Sequence, residues 1–232
     1  MEKKKIIIEE ETQKKSTLET ETKQLFWFFV IVGLCFAAFL IPYFYTQSQK
    51  TFNYLGLNWD VIKDGKGTTK ITFYHTSVPK IYNNTFLGDH NLYLRTDPRK
   101  NNIETELDNL KFERNYIATM SPEVLNCSKQ NLPAFALGDI TLLFPFITNI
   151  SGATTSKENS KNILYANCEN SPVDTTLVQM QMGNETKIFT SPTNPDCYII
   201  QIGSCEENLQ SVERFILEIL DNFNYKPIEN GI

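Results

Sequence analysis

The chain has 232 residues, with 22 basic and 27 acidic side chains and a formal charge of −5. This balance, with no basic patch outside the N-terminal tail, argues against nucleic acid as a partner. Two histidines and the absence of any Gly-rich phosphate loop leave no cofactor signature.

Residues 1–24 mix lysine and glutamate, and pairs such as Glu10 with Lys14 and Glu19 with Lys23 have the favourable i,i+4 order. We read this segment as a charge-balanced cytoplasmic tail that extends the following helix inward or stays solvated. Residues 25–45, LFWFFVIVGLCFAAFLIPYFY, carry no charge, and such a run spans roughly 30 Å as a helix, the thickness of a hydrocarbon core. Trp27 at one end and Tyr43 and Tyr45 at the other fall at headgroup depth. Lys3, Lys4, Lys5, Lys14, Lys15 and Lys23 precede the span and only Lys50 and Lys63 follow it closely, which predicts a cytoplasmic N-terminus. The long leader and the lack of an A-x-A-like site favour an uncleaved signal anchor. Gly33 and Ala37 have the small-xxx-small spacing through which two copies of a membrane helix pack.

Residues 46–232 are long enough for a core of their own. Cys35 lies in the span, whereas Cys127, Cys168, Cys197 and Cys205 lie beyond it, an even set that predicts two disulfides outside the cytoplasm. Their spacing does not fit paired zinc knuckles, so no metal site is expected. Cys197 and Cys205 flank an extended strand and are expected to pair with other cysteines, since bridged Cα atoms lie within about 7 Å. The sequons at Asn83, Asn126, Asn149 and Asn184 also fall beyond the span and are glycosylation candidates.

The fold class read from patterning is α+β or α/β: a β-rich part over 52–112 and a mixed α/β part over 113–225, the sheet packed with two helices. Leu57, Trp59 and Val61 alternate with polar neighbours, and the turn residues Asp64-Gly65-Lys66-Gly67 precede KITFYHT, predicting a hairpin. NLYLR (91–95) reads as a strand closed by Asp97-Pro98. NYIATM (115–120) reads as a strand, and LPAFALGDITLLFPFI from Leu132 as a helix interrupted near Gly138. Residues 151–161 are the expected mobile loop. ILYANC, the pair TTLVQMQM and TKIFTS joined at Gly183-Asn184, and CYIIQIG have strand composition. Ser204-Cys205-Glu206-Glu207 matches a capping box, after which Leu209, Val212, Phe215, Ile216, Ile219 and Leu220 form the apolar stripe of a helix ending before Pro227. Glu213, Arg214 and Glu218 are assigned to its polar side.

No G-x-S-x-G or H-E-x-x-H pattern surrounds His75 or His90, and no catalytic residue is assigned. Arg95, Asp97 and Arg99 recur at period two, so an extended strand would place them on one face as a clamp for a carboxylate or phosphate; mutual ion pairing is the simpler reading.

NLYLRTDPRKNN, Tyr165-Ala166-Asn167-Cys168 and CYIIQIGSCEENLQSVERFILEIL together resemble an uncharacterised family of single-pass, membrane-anchored proteins of small-genome (DPANN, Woesearchaeota-like) archaea. The resemblance implies an archaeal cell envelope as the setting and brings no activity with it. The expected function is a non-enzymatic binding or structural component of that envelope or of a membrane assembly, with the membrane and a protein partner or second copy as its contacts. The rival reading is an envelope-acting hydrolase or transferase that uses carboxylates such as Asp89, Glu104, Glu106 or Asp108.

Overall fold

The computed structural model describes residues 25–45, 50–65, 70–83, 85–107, 109–127, 132–158 and 163–223. The tail, the end of the expected mobile loop and Pro227 lie outside these residues. Two compact units are present, Met1–Lys50 and Thr51–Ile232. In the first, helix α1, Leu25–Tyr45, is long and apolar enough to cross a membrane.

The second unit opens with an antiparallel meander of four strands, β1 Thr51–Tyr54, β2 Leu57–Asp64, β3 Ile71–Tyr82 and β4 Thr85–Leu94. The expected hairpin of β2 with β3 is present. Ahead of it, Leu55 and Gly56 both take positive φ and turn β1 back onto β2. Trp59 is fully buried, stacks on Phe52 and donates its indole N–H to the Tyr54 carbonyl at 3.1 Å. One face of the meander is thereby sealed.

The remaining strands form a seven-stranded mixed sheet in the order β5-β10-β11-β9-β6-β7-β8. They are β5 Glu104–Glu106, β6 Asn115–Met120, β7 Asn149–Thr154, β8 Leu164–Tyr165, β9 Thr175–Met182, β10 Lys187–Ser191 and β11 Asn194–Ile202. Ser151 to Thr154 thus belong to a strand rather than to a mobile loop. β9 and β10 are consecutive but do not pair: β11 lies between them, parallel to β9 and antiparallel to β10. At Gly183, just after β9, a Cβ would stand 2.2 Å from the Gln201 side chain, which would have to move to admit one. The central strands β9 and β11 are largely buried on both faces, so adjacent residues such as Leu177-Val178 and Ile199-Ile200 are both apolar and strict alternation is lost.

Helices α2 Pro122–Cys127 and α3 Leu132–Leu143 make the crossover from β6 to the parallel β7. The short α2 is not evident from periodicity, although Ser121 followed by Pro122 is a start signal, and the Ser121 hydroxyl accepts from the Val124 N–H at 3.4 Å. α3 runs through Gly138 without a break, contrary to expectation. Burial of Leu137 and Ile140 outweighs the ~1 kcal/mol propensity cost of a mid-helix glycine.

A 3-10 turn, Cys205–Glu207, leads into α4, Asn208–Asn222. The expected capping box is not formed: the Ser204 hydroxyl donates to the Glu207 carboxylate at 3.2 Å and caps no backbone N–H. α4 buries Val212, Phe215, Ile216, Ile219 and Leu220 in a core shared with Tyr198 and Ile200 of the sheet, Leu137 and Ile140 of α3, and Leu92 and Leu94 of the meander. On the other face of the sheet a smaller cluster joins Ile117, Leu177, Cys197 and Ile199 to Ala166 and Cys168 of a covering loop.

Candidate functional site

The segment after β4 is fastened to α4 residue by residue. The Arg95 N–H donates to one Glu213 carboxylate oxygen at 2.5 Å, and the Thr96 N–H donates to the other at 2.9 Å. Asn101, also buried, donates its amide to the Gln210 carbonyl at 2.9 Å and accepts at its own carbonyl from Arg214 at 3.2 Å. Glu213 is only 2 % exposed, so its assignment to a polar helix face is overturned. Burial raises its pKa, and the two backbone donors oppose that rise.

Of the three residues proposed as a clamp, the fold separates Arg95 from the others, because β4 ends at Leu94 and the period of two is lost. Asp97 and Arg99 satisfy each other through a 2.8 Å ion pair and a second hydrogen bond of 3.0 Å. The Arg99 guanidinium also lies 3.8 Å from the Phe52 ring centre. This pairing holds the Asp97 carboxyl below its usual range.

Arg95, by contrast, borders a pocket of about 190 Å³ between β4, α3 and α4. Its walls include Phe73, Leu132, Phe135 and Ile216, with Asp139 on α3 and Glu213 on α4. Phe135 is 68 % exposed at the rim. Arg95 packs over Phe73 at 5.4 Å, and burial raises the pKa of Asp139 while the nearby His90 opposes the shift. His90, on β4, is held below its ordinary value of 6.5 by burial, and its Nε2 has no hydrogen-bond partner among the described residues. His75 lies elsewhere, bonded to the Asn91 side chain at 3.1 Å.

The described carboxylates among those considered for hydrolysis fall on two different sheets. Asp89 is on β4 of the meander, Glu104 and Glu106 are exposed on β5 at the edge of the other sheet, and Asp108 lies outside the described residues. Sequence reasoning missed Asp139 and Glu213. A signal existed for Glu213, which is four residues after Leu209 and three before Ile216 and so falls inside the apolar stripe; none existed for Asp139.

The cysteines pair as Cys127–Cys205, joining the end of α2 to the turn before α4, and Cys168–Cys197, joining the covering loop to β11. Cys197 and Cys205 therefore each take a different partner. A second cleft, of about 280 Å³, lies beside Cys168, and its amides are mutually satisfied: Gln179 accepts from the Cys168 N–H at 3.1 Å and donates to Gln181 at 2.7 Å. No cluster of three or more metal-binding side chains occurs among the described residues. Of the sequons, Asn83 and Asn184 are exposed beside turns, Asn126 is near the end of α2, and Asn149 donates its amide to Asn115 at 2.8 Å. No family model matches the chain, and neither a curated protein nor a solved structure is similar to it.

Proposed function

We propose that the chain is a single-pass membrane protein with residues 1–24 in the cytoplasm and residues 46–232 outside, acting as a non-enzymatic binding or structural component of the cell envelope or of a membrane assembly. The observation that carries this reading is a membrane-length apolar helix followed by a unit with two disulfides. Cytoplasmic thiols are kept reduced, so such a pair of bridges belongs outside. The lysine asymmetry around α1 supports the same orientation. An archaeal envelope, the setting implied by the family resemblance, accommodates both the bridges and the sequons.

Binding is favoured over acid–base chemistry by what the innermost carboxylate of the pocket does. Both Glu213 oxygens accept backbone N–H groups, so the residue organises the wall and is not free to shuttle a proton. A second copy held through Gly33 and Ala37 of α1 is the contact we propose within the membrane. Protease added to intact cells tests the topology: it should remove residues 46–232 and spare residues 1–24. Digestion of the tail with protection of the disulfide-bearing unit would overturn the reading.

A further inference from the structure

A short piece of chain joins the membrane-length helix to the meander. Residues 46–50 alone separate Tyr45 from Thr51, and an extended chain covers at most ~21 Å over that interval. The meander is therefore the part of the folded unit nearest the bilayer along the chain. Register identifies the end of the meander at which the chain arrives. Thr51 is level with Asp60 of β2, and β2 continues to Asp64, which pairs with Ile71 of β3. At strand rise, the β2–β3 end projects about 13 Å beyond the point where β1 begins.

The chemistry of that end differs from the rest of the unit. Ile62 is 39 % exposed and Ile71 42 %. Strand alternation puts them on one face as diagonal neighbours, with Phe73, the half-buried partner of Ile62, on the same face. Lys63 belongs to the opposite face, and Lys70, just before β3, is exposed. Residues 50–71 hold four lysines and two aspartates, whereas residues 72–232 hold 12 basic and 19 acidic side chains. Both aspartates have other partners: Asp64 accepts from the Gly65 N–H at 2.7 Å, and Asp60 lies 3.6 Å from His75 Nδ1.

We propose that the β2–β3 end of the meander rests on the outer surface of the bilayer, with Ile62 and Ile71 at the boundary of headgroups and acyl chains and Lys50, Lys63 and Lys70 on the phosphates of anionic lipids. The proposal deepens the membrane-anchored reading above and rests on it. Chain length and charge both select lipid as the occupant. The five-residue connection makes the contact intramolecular in effect, so it needs little affinity of its own. A hairpin end is too small for a stable protein interface, which buries ~1,200 Å² or more. Lysine stems lie along an apolar surface while their ammonium groups reach phosphate, an arrangement that suits the edge of a bilayer.

The test uses the full-length protein in vesicles of phosphatidylcholine with about a third phosphatidylglycerol and a trace of lipid spin-labelled at the headgroup. In a Cys35→Ser background, a bimane fluorophore is attached at Ile71→Cys or at Thr85→Cys. Thr85 pairs with Tyr82 at the far end of β3, about 35 Å from Ile71 at strand rise. The label at position 71 should be quenched about threefold or more beyond the label at position 85, and the difference should shrink in phosphatidylcholine alone or at ~1 M salt. Lys63→Glu with Lys70→Glu should shrink it in the anionic vesicles too. Equal quenching at the two positions, stronger quenching at position 85, or a difference indifferent to lipid charge overturns the assignment. Flotation of the protein with the vesicles reports the anchor independently, so failure of this contact and failure of the membrane-anchored reading are told apart.

Discussion

The two faces of the seven-stranded sheet are covered by different means. On one, α3 and α4 bury Leu137, Ile140, Phe215 and Ile216 against Tyr198 and Ile200, and the meander joins the same core. On the other, Ile117, Leu177 and Ile199 lie under a loop that contributes only Ala166 and Cys168, and the Cys168–Cys197 bridge fastens that loop down. A helix layer can be held by apolar area alone at roughly 1.5–3 kcal/mol per large side chain. A loop offering one alanine and a half-cystine cannot, so a covalent link takes over that role.

The contrast can be broken in order of expected effect. Phe215→Ala, at the centre of the helical face, should cost about 3–5 kcal/mol in urea unfolding of a chain starting at residue 50. A loss near zero would mean that α4 does not hold that face. Replacing Cys168 and Cys197 by alanine together opens a bridge with a sequence separation of 29 and should cost about 3–4 kcal/mol on loop entropy. Hydrogen exchange would sharpen that result: residues 166–174 should lose protection while α4 keeps its own. Equal loss in α4 would show that the two faces are not independently secured.

Glu213→Ala comes next. It leaves the Arg95 and Thr96 N–H groups without acceptors, at about 2–3 kcal/mol for the pair. A residue on an exposed helix face would give a change within about 0.5 kcal/mol, so the measurement discriminates sharply. The smallest expected effect is a pH dependence at His90, whose folded pKa is depressed by burial below 6.5. Its contribution is fully present above pH 6.5 and is lost as pH falls through the folded value. Stability should therefore fall on acidification from pH 6.5 down to that folded value, and His90→Asn should flatten the slope there; an unchanged slope would remove His90 from the account.

Legibility in the sequence followed the range of the interaction. Short-range patterns were readable: α1, the alternation of Leu57 and Trp59, the strands at 115–120 and 197–202, and the stripe of α4. The Leu55-Gly56 turn was not, because leucine is rarely the residue found at positive φ. The separation of β9 from β10 is set by strand order, which composition does not encode. Of the site, Arg95 was readable as a candidate binding residue. Asp139 became one only when α3 packed beside β4, and Glu213 was hidden by the habit of assigning a charge to the wet face, although its spacing said otherwise.

The hydrogen bond from Arg95 to Glu213 spans 118 residues of chain, and that separation has a temporal consequence. Synthesis proceeds from the N-terminus at about 5–20 residues per second, so the meander is complete several seconds before its anchor exists. Until α4 arrives, the Arg95 and Thr96 N–H groups have no Glu213 carboxylate to accept them, and Leu92 and Leu94 lack the part of their core that α4 supplies. The nascent first half must therefore wait as an open sheet, and a chain stopped before Asn208 should remain protease-sensitive throughout residues 51–101.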